Sequence, residues 1–494
     1  MNVILVGHDF SYEINELLKL FLKPSEIHFV DERALVDNQS SLLISSSIKI
    51  DDVYVIHAVI QTGQTVSFQK EIEIQCSGKS DHELRKEQKR IIKRCVFDVL
   101  RKYTMKRPKW GILTGIRPSK IVHEYLDSGY GLAAIKGKLR EEYEIEDEKI
   151  ELVTKIAEIE RPFLYPIRQD HVSVYISIPF CPTRCVYCSF PSYPMEKWKG
   201  SMNPYLEALC YEIKETGKLL KAFDKKVDTL YIGGGTPTTL SANDFHVLFS
   251  VLYGSMDLSE VKEFTVEAGR PDTIEKEKLM VLKNHGVNRI SINPQTMNAA
   301  TLKTIGRDHN PEDILKAFYL AKDIDFHTVN MDLIVGLPGE TPEMMKNTME
   351  AIKDLDPENI TVHTLAVKKS SALKENLEEF ELAQENQAIE MLQIADQYAL
   401  SMGMTPYYMY RQKYMVGNLE NIGYCKKGHE CIYNIQIMEE RQSIIALGAG
   451  AISKIIYPEE NRLERVPNVV SLEHYINRID EMIVRKRIEL QKSR

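Results

Sequence analysis

The chain has 494 residues, of which 43% are hydrophobic and 27% are charged, an ordinary composition for a soluble globular protein. This length suits about three average domains, and no run of ~18 apolar residues predicts a membrane span. The N-terminus lacks the basic start of a signal peptide, so we expect a cytoplasmic protein. The net charge of -8 argues against a nucleic acid partner.

The first part of the chain predicts an α/β domain over residues 1–165. A helix is predicted over residues 81–103, where apolar side chains recur at helical spacing from Ile91 to Leu100. Arg161, Pro162 and Pro166 are typical of a linker. The strand candidates in this part read NVILVG, SLLISSSIKI, DVYVIHAVIQ and VSFQKEIEIQC.

From residue 171 strands alternate with helices, which favours a parallel sheet covered by helices. The strand candidates read HVSVYISIPF, DTLYIG, EFTVEA, VNRISINPQ, TVNMDLIVG and ITVHTLAV. The helix candidates are residues 203–223, 241–253, 275–285, 311–323 and 342–355. Six such units predict a core over residues 166–375, with ligands at the C-terminal ends of the strands. A C-terminal segment, residues 376–494, begins with a long helix and is expected to be mainly helical.

Three cysteines, Cys181, Cys185 and Cys188, follow the first strand of this core in a C-x3-C-x2-C array. Thiolates at this spacing can bind one soft metal centre, either a zinc ion or an iron–sulfur cluster. No neighbouring residue offers an obvious fourth ligand. A zinc site would need a distant one, such as Cys210 or a histidine, whereas a four-iron cluster would keep an open coordination position.

Other unusual residues also follow the core strands. Successive glycines in GGGTPT let the backbone approach a ligand closely, and Glu267 lies at the end of the next strand. Arg289, Ser291 and Gln295 alternate and are predicted to share one face of their strand. Asp332 interrupts an apolar strand, where a buried carboxylate needs a partner. The following Thr341 is predicted to cap a helix.

These motifs, in this order, resemble those of the radical S-adenosylmethionine (SAM) superfamily. The cysteine array after YxxIPFC, then GGGTP, the strand-end Glu267, RxSxxxQ and DLIxGLPGET are similar to the oxygen-independent coproporphyrinogen oxidase branch. With the N-terminal domain and the YxYRQK and GNLENxGY segments, the chain resembles the HemZ type. The resemblance implies a partial (β/α)6 TIM-like barrel.

The resemblance also implies roles for individual residues. Cys181, Cys185 and Cys188 would bind a [4Fe-4S] cluster, and S-adenosyl-L-methionine would fill the open iron position. The catalytic residues would be Tyr175, Gln295 and Asp332. The cofactor would be contacted by Tyr175, Phe190, Gly234, Gly235, Thr236, Glu267, Gln295, Arg307 and Asp332.

The implied activity is that of a coproporphyrinogen III dehydrogenase in haem biosynthesis. Reductive cleavage of SAM would give a 5'-deoxyadenosyl radical, which would abstract hydrogen from a substrate propionate. Loss of CO2 and one electron would leave a vinyl group, converting coproporphyrinogen III to protoporphyrinogen IX. The implied partners are a tetrapyrrole, either coproporphyrinogen III or haem, and an electron donor such as flavodoxin or ferredoxin.

Three positions depart from the branch. Phe190 replaces a fourth cysteine, Ser177 replaces a histidine, and Asn293 and Pro294 replace a glycine-containing pair. The related haem-chaperone branch also carries phenylalanine at the first position, but its HNxxYW signature is not clear in CIYNIQIMEER. The alternatives are therefore a haem-binding chaperone with this fold, or an enzyme acting on another tetrapyrrole.

Two further segments have competing interpretations. Cys425, His429 and Cys431 in CKKGHEC would form a second metal site or, as their unusual spacing favours, belong to a solvated loop. The basic helix over residues 81–103 is expected to be a solvated surface. The alternative, suggested by its local charge excess, is that it binds the anionic propionates of a tetrapyrrole, or RNA.

Overall fold

The computed structural model describes residues 1–31, 41–63, 65–115, 117–368, 371–375, 384–412, 415, 419–460 and 462–493. The chain forms two compact units, Met1–Lys155 and Ile156–Arg494. The three predicted domains, with boundaries at residues 165 and 375, stay a prediction. Lys413 of YxYRQK, and Gly417 and Asn418 of GNLENxGY, lie outside the described residues.

The first unit is built on a five-stranded sheet with the order β2-β1-β3-β4-β5. β1 is parallel to β2 and β3, and the remaining neighbours are antiparallel. The strands are β1 (Asn2–Val6), β2 (His28–Phe29), β3 (Ser41–Ile50), β4 (Val53–Thr62) and β5 (Thr65–Gln75). The helices are α1 (Ser11–Leu18), α2 (Asp81–Thr104), α3 (Ser119–Asp127), α4 (Leu132–Tyr143) and α5 (Asp147–Leu164), the last of which continues into the second unit.

Helix α2 covers this sheet as predicted. It begins with a capping box, in which Ser80 accepts a bond from the Glu83 amide and the Glu83 carboxylate accepts one from the Ser80 amide. Its apolar stripe from Ile91 to Leu100 is buried against the sheet and α1. The end of α5 differs from the sequence prediction, because Arg161 and Pro162 lie in its last turn. The proline removes one helical hydrogen bond there without ending the helix.

The basic side chains of α2 are largely balanced within the first unit. Ion pairs join Arg85 to Asp9 at 2.9 Å, Lys86 to Glu124 at 3.3 Å, Lys89 to Glu13 at 3.6 Å and Arg94 to Glu144 at 3.7 Å, and Arg90 pairs with Glu142. A surface neutralised in this way offers little net charge to an anionic ligand, which favours the solvated-surface interpretation.

The second unit contains the six predicted parallel strands. They are β6 (His171–Ile178), β9 (Lys226–Gly234), β10 (Glu263–Glu267), β11 (Arg289–Ser291), β12 (Thr328–Val335) and β13 (Asn359–Thr364). Two short strands, β7 (Phe180–Cys181) and β8 (Tyr193–Pro194), pair beside the cysteine array. The helices of this part are α6 (Met195–Trp198), α7 (Met202–Ala222), α8 (Ala242–Ser255), α9 (Lys276–Asn284), α10 (Ala299–Thr304), α11 (Pro311–Asp323), α12 (Pro342–Leu355) and α13 (Ala372–Glu375). Thr341 caps α12 as predicted.

The C-terminal segment adds helices and five strands to this sheet. The strands are β14 (Thr405–Tyr410), β15 (Asn421–Cys425), β16 (Ser443–Leu447), β17 (Ile452–Tyr457) and β18 (Arg462–Pro467). The helices are α14 (Glu385–Ser401), α15 (Ile432–Glu439), α16 (Leu472–Asn477) and α17 (Ile479–Lys492). The sheet has the order β14-β15-β13-β12-β11-β10-β9-β6-β16-β17-β18.

The C-terminal strands lie on both sides of the six core strands. β15 pairs antiparallel with β13, and β16 pairs parallel with β6. The sequence predicted the helices of this segment but not its strands. The architecture is the expected α/β fold with a partial (β/α)6 barrel, whose strand ends carry the predicted residues. Within the described ranges, no helix has the length and apolar character needed to cross a membrane.

Candidate functional site

The three array cysteines lie in one loop after β6, which neighbouring loops hold in place. The Val186 amide donates to the Ile305 carbonyl at 3.1 Å, and the Thr183 hydroxyl donates to the Gly306 carbonyl at 3.1 Å. Cys185 is buried, whereas Cys181 and Cys188 are partly exposed. The loop therefore presents three thiols from one short segment at the mouth of the barrel.

The GGGTP segment lies directly against this cysteine loop. The amides of Gly235 and Thr236 donate to the Ile178 and Phe180 carbonyls at 2.8 and 2.7 Å. A Cβ on Gly235 would lie 2.5 Å from the Phe180 carbonyl oxygen and 2.9 Å from the Cys181 sulfur. The sequence predicted that these glycines allow close approach to a ligand. In the structure, position 235 requires glycine because the cysteine loop itself leaves no space for a Cβ there.

Two arginines face the cysteines. The Arg270 guanidinium lies 3.8 Å from the Cys185 sulfur and pairs with Asp272 at 2.9 Å. Arg307 donates to the carbonyls of Gly269 and Asn293 and to the Tyr187 hydroxyl at 3.2 Å. Buried cations beside thiols favour the thiolate form, which is the form that binds metal.

Burial nevertheless raises the pKa of the Cys181 thiol to about 11, although the Thr236 hydroxyl and Arg270 oppose that shift. Burial also raises the pKa of the Cys188 thiol. The Phe190 amide, which donates a hydrogen bond to the Cys188 sulfur, opposes this shift. These thiols stay protonated at neutral pH until a metal centre replaces the protons.

The separation of the sulfurs distinguishes between two kinds of metal centre. Among the described residues, the three cysteine sulfurs do not all lie within 4.8 Å of one another. Ligands of a single tetrahedral zinc ion lie about 3.8 Å apart, given zinc–sulfur bonds of about 2.3 Å. The wider set suits a multi-iron centre, in which each cysteine binds a different iron.

Asp332 lies on β12 within a polar network. Its carboxylate accepts a hydrogen bond from the Asn330 amide at 2.8 Å and lies 3.8 Å from Nε2 of His363 on β13. Nδ1 of His363 in turn lies 3.1 Å from the Tyr410 hydroxyl. Burial would raise the pKa of Asp332, but the contacts with His363, Asn330 and Thr361 outweigh it and lower the pKa.

Gln295 lies beside Asp332 on the neighbouring chain segment. Its amide donates to the Asp332 carbonyl at 2.9 Å, and its own carbonyl accepts from the Ile334 amide at 3.0 Å. Its φ of 69° is in the left-handed region, which side chains other than glycine adopt at an energetic cost. The structure therefore brings together Gln295 and Asp332, two of the three predicted catalytic residues.

Glu267 ends β10 and is partly buried, as Asp332 is. Its carboxylate accepts a bond of 2.7 Å from the Tyr231 hydroxyl, and a Cβ on Gly233 would lie 2.9 Å from it. Burial raises the pKa of Glu267 to about 7; the bond from Tyr231 opposes this shift and the charge of Asp332 adds to it. The two carboxylates thus have pKa values displaced in opposite directions, an arrangement that separates acid and base roles in enzymes.

Tyr175, the third predicted catalytic residue, lies in a stack of three tyrosines. Its ring centroid is 6.1 Å from that of Tyr231 and 6.0 Å from that of Tyr433, and these two lie 4.5 Å apart. The stack is next to Glu267 through Tyr231. The stretch that aligns with HNxxYW forms α15 and contributes Tyr433 to this stack.

We call Cys181, Cys185, Cys188, Arg270 and Arg307 the cysteine side of the mouth, and Glu267, Asp332 and His363 the carboxylate side. Sequence analysis missed Arg270, Tyr231, His363, Tyr410 and Tyr433. His363 interrupts the apolar strand ITVHT as Asp332 interrupts its own, so the same signal could have found it.

Phe190 lies at the outer edge of the cysteine side. Its side chain is 64% exposed, and the Lys368 ammonium lies 5.9 Å from the ring centroid. Of the predicted cofactor contacts, Phe190 is the one that faces solvent.

The CKKGHEC segment differs from the solvated loop that the sequence favoured. Cys425 ends β15 and Cys431 precedes α15, and both are buried. The Cys431 thiol donates to Glu263 at 3.4 Å, and Nδ1 of His429 lies 2.9 Å from the Thr328 hydroxyl. The two ends of the segment are therefore packed into the fold, whereas Lys427 and Gly428 in its middle are exposed.

Comparison with known proteins identifies the family. The model of the radical SAM superfamily matches residues 175–352. The oxygen-independent coproporphyrinogen-III oxidase-like protein HemZ of Bacillus subtilis (strain 168) is 41% identical over 405 residues, 81% of this chain and 81% of HemZ. The chain belongs to the radical SAM superfamily, in its HemZ branch.

Two further comparisons are informative. The heme chaperone HemW of Bacillus subtilis (strain 168) is 33% identical over 315 residues, 63% of this chain and 76% of HemW. The structure of the coproporphyrinogen III oxidase HemN of Escherichia coli matches with a TM-score of 0.53 and 23% identity, over 66% of this chain and 73% of HemN. This structural likeness confirms the radical SAM fold.

The radical SAM family implies a [4Fe-4S] cluster and SAM, and the residues of the mouth suit both groups. Three thiols in one loop, more widely spaced than a single ion requires, match a cluster with three protein ligands. Phe190 offers no ligand atom, so a four-iron cluster held by the three cysteines would keep one open coordination position. The carboxylates of Glu267 and Asp332 can bind the amino acid and ribose parts of a nucleoside ligand.

Proposed function

We propose that the chain is an oxygen-independent coproporphyrinogen III dehydrogenase, which converts propionate side chains of coproporphyrinogen III to the vinyl groups of protoporphyrinogen IX. Similarity to HemZ supports the substrate class. The observation that carries the proposal is the meeting, at one barrel mouth, of three clustered thiols and an ionised Asp332 held beside Gln295.

The proposed roles follow the two sides of the mouth. Cys181, Cys185 and Cys188 hold the cluster, and Gly234, Gly235 and Thr236 contact the methionine part of SAM. Glu267, Gln295, Arg307 and Asp332 line the nucleoside pocket, with Tyr175 and Phe190 at its margins. When bound, the cluster and SAM supply an electron and a hydrogen-abstracting adenosyl radical.

Residues of the chain orient the reactants and exclude water. The Tyr175, Tyr231 and Tyr433 stack gives the pocket an apolar wall, which protects a reactive intermediate from solvent. Asp332, kept ionised by His363 and Asn330, accepts hydrogen bonds from ligand hydroxyl or ammonium groups. Arg307 donates to the Tyr187 hydroxyl and so holds the cysteine loop next to the pocket.

An anaerobic turnover assay tests the proposal. Reconstituted protein receives SAM, dithionite and coproporphyrinogen III, and chromatography follows 5'-deoxyadenosine and the tetrapyrroles. We expect 5'-deoxyadenosine together with decarboxylated tetrapyrrole, and neither product from Cys185→Ala. Cys210→Ala, which alters a cysteine of α7 outside the loop, is the matched control and should keep both products.

The two parts of the proposal can fail separately. Formation of 5'-deoxyadenosine with unchanged tetrapyrrole would retain the radical chemistry and reject the substrate. A methylated tetrapyrrole would instead indicate another reaction on the same class of substrate. No 5'-deoxyadenosine from protein with a full cluster would reject the enzymatic function.

A second candidate is a haem chaperone, supported by similarity to HemW and by Phe190, which matches that branch. Haem titration of the reconstituted protein separates the candidates. Stable stoichiometric haem binding without decarboxylation favours the chaperone, whereas turnover without stable haem binding favours the dehydrogenase.

A further inference from the structure

Arg270 brings a buried positive charge to the cysteine loop. It lies just after the end of β10, and its side chain is only 4% exposed. Its carbonyl accepts bonds from the Thr273 amide at 2.9 Å and from the Thr273 hydroxyl at 2.8 Å, which fixes the backbone at this position. Its Nη1 donates to the Thr183 hydroxyl at 3.1 Å and lies 3.8 Å from the Cys185 sulfur. The guanidinium is therefore held against one of the proposed cluster ligands.

Asp272 binds the other side of the same guanidinium. Its two carboxylate oxygens accept bonds from Nε and Nη2 of Arg270, each at 2.9 Å. Because the guanidinium is planar and Nη1 points away from the edge that carries Nε and Nη2, the carboxylate and the Cys185 sulfur lie on opposite sides of the cation. The Asp272 side chain is 22% exposed, so it lies nearer to solvent than Arg270 does. The positive end of this ion pair thus faces the sulfur.

Two other side chains lie close to this ion pair. Nδ1 of His309 is 3.8 Å from the Asp272 carboxylate, but burial, and after it Arg307 and Arg270, lower the pKa of His309 to about 4. The His309 ring is therefore neutral at neutral pH. Arg307 donates to two backbone carbonyls and to the Tyr187 hydroxyl, and it belongs to the proposed nucleoside pocket. Arg270 and Asp272 are charges beside the cysteine loop that have no place in that pocket.

We propose that the Arg270–Asp272 pair sets the reduction potential of the cluster through Cys185. Hydrogen bonds to the ligand sulfurs and the local net charge both determine this potential. Reduction moves one electron from a one-electron reductant to the cluster, and no bond forms or breaks in that step. Arg270 stabilises the added negative charge, and Asp272 limits this effect because its own charge is negative. The inference deepens the proposed function and rests on its cluster, whichever tetrapyrrole is the substrate.

A redox titration of the reconstituted full-length chain tests the role of the pair. The protein is titrated anaerobically with titanium(III) citrate in the absence of SAM, and the EPR signal of the reduced cluster gives the midpoint potential. Arg270→Gln should lower the equilibrium constant for reduction about tenfold, which for one electron is a shift of about 59 mV to more negative potential. Asp272→Asn should shift the potential in the opposite direction and by less, since the carboxylate lies on the far side of the cation.

The matched control is Arg487→Gln, which removes an exposed arginine from α17 and should leave the potential unchanged. Iron and sulfide analysis of each variant shows whether the titrated protein holds a full cluster. If Arg270→Gln does not incorporate the cluster, Asp272→Asn decides the question, because asparagine keeps an oxygen for Arg270 and removes only the charge. A merely structural role for the pair would not move the potential in opposite directions.

Two outcomes would overturn the inference. The potential of Asp272→Asn could equal that of wild type, or Arg270→Gln and Asp272→Asn could shift the potential in the same direction. Neither outcome concerns turnover by the wild-type protein. Failure of the proposed function looks different: wild type with a full cluster would then give no decarboxylated tetrapyrrole, whatever the order of the three potentials.

Discussion

The cysteine side and the carboxylate side of the barrel mouth are built in different ways. The cysteine side takes its three thiols from one loop of eight residues, and its neighbours Arg270 and Arg307 are cationic. The carboxylate side takes one residue from each of three strands, β10, β12 and β13, and is anionic. A local loop can be recognised by spacing, whereas a site shared among strands exists only after folding.

The largest expected effect is the loss of the cluster when the cysteine side alone is changed. Cys185→Ala should abolish cluster incorporation, because two thiols cannot hold a cluster that three protein ligands normally bind. Iron and sulfide analysis after anaerobic reconstitution measures this, with Cys210→Ala retaining the full content. A cluster retained in Cys185→Ala would mean that the cysteine side is not the metal centre.

Asp332→Asn should spare the cluster and weaken SAM binding. A charge-assisted hydrogen bond contributes about 1.5–3 kcal/mol, so the dissociation constant should rise about ten- to a hundredfold. Equilibrium dialysis with reconstituted protein measures the change, and Asp323→Asn on the exposed side of α11 is the control. Equal affinities in the two variants would remove Asp332 from the binding site.

His363→Asn should have a smaller effect on the same equilibrium. His363 acts through Asp332, which keeps its bond to Asn330, so we expect a loss of about two- to tenfold. In the double variant Asp332→Asn/His363→Asn, the His363 change should lower SAM affinity almost no further than Asp332→Asn alone. The reason is that Asp332, the residue through which His363 acts, is already altered. Strict additivity would show that His363 contacts the ligand independently.

The smallest effect concerns pH. The pKa of Glu267 is raised from 4.5 to about 7, so between these values the folded chain binds more protons than the unfolded chain. Stability therefore falls as pH rises through this window, and the full cost is present above pH 7. In Glu267→Gln the thermal midpoint should fall less steeply with rising pH than in wild type. At pH 8 the variant should unfold about 2 °C or more above wild type in a thermal melt.

The control for this pH effect is Glu277→Gln, an exposed glutamate on α9 whose curve should run parallel to that of wild type. Wild type and the Glu267→Gln variant both keep Glu340, whose pKa burial also raises to about 7. The contribution of Glu340 to the pH dependence of stability therefore cancels when the two curves are compared. Identical curves for Glu267→Gln and wild type would mean that the Glu267 carboxyl titrates as an ordinary exposed group.

The sequence predicted the fold of the core well, because each barrel strand is a short apolar run followed by an amphipathic helix. The three cysteines and Asp332 were also visible, since their spacing or setting is unusual. The partnership of Tyr433 with Tyr175 and Tyr231 was not visible, because α15 lies far along the chain from β6 and β9. Whether Phe190 faces solvent could not be read from its neighbours either.

The five C-terminal strands are short, and two of them, β15 and β16, pair with strands far away in the sequence, so they escaped prediction. Their position has a practical consequence. β16 covers one margin of the core sheet and β15 covers the other. In a truncated chain of residues 166–375, β6 would keep β9 and β13 would keep β12, but the outer side of each strand would have no sheet partner. Such open margins recruit strands from other molecules. Shortened variants of this protein are therefore expected to aggregate. In the full chain, β15 and β16 occupy these sheet edges and so prevent edge-to-edge pairing between molecules.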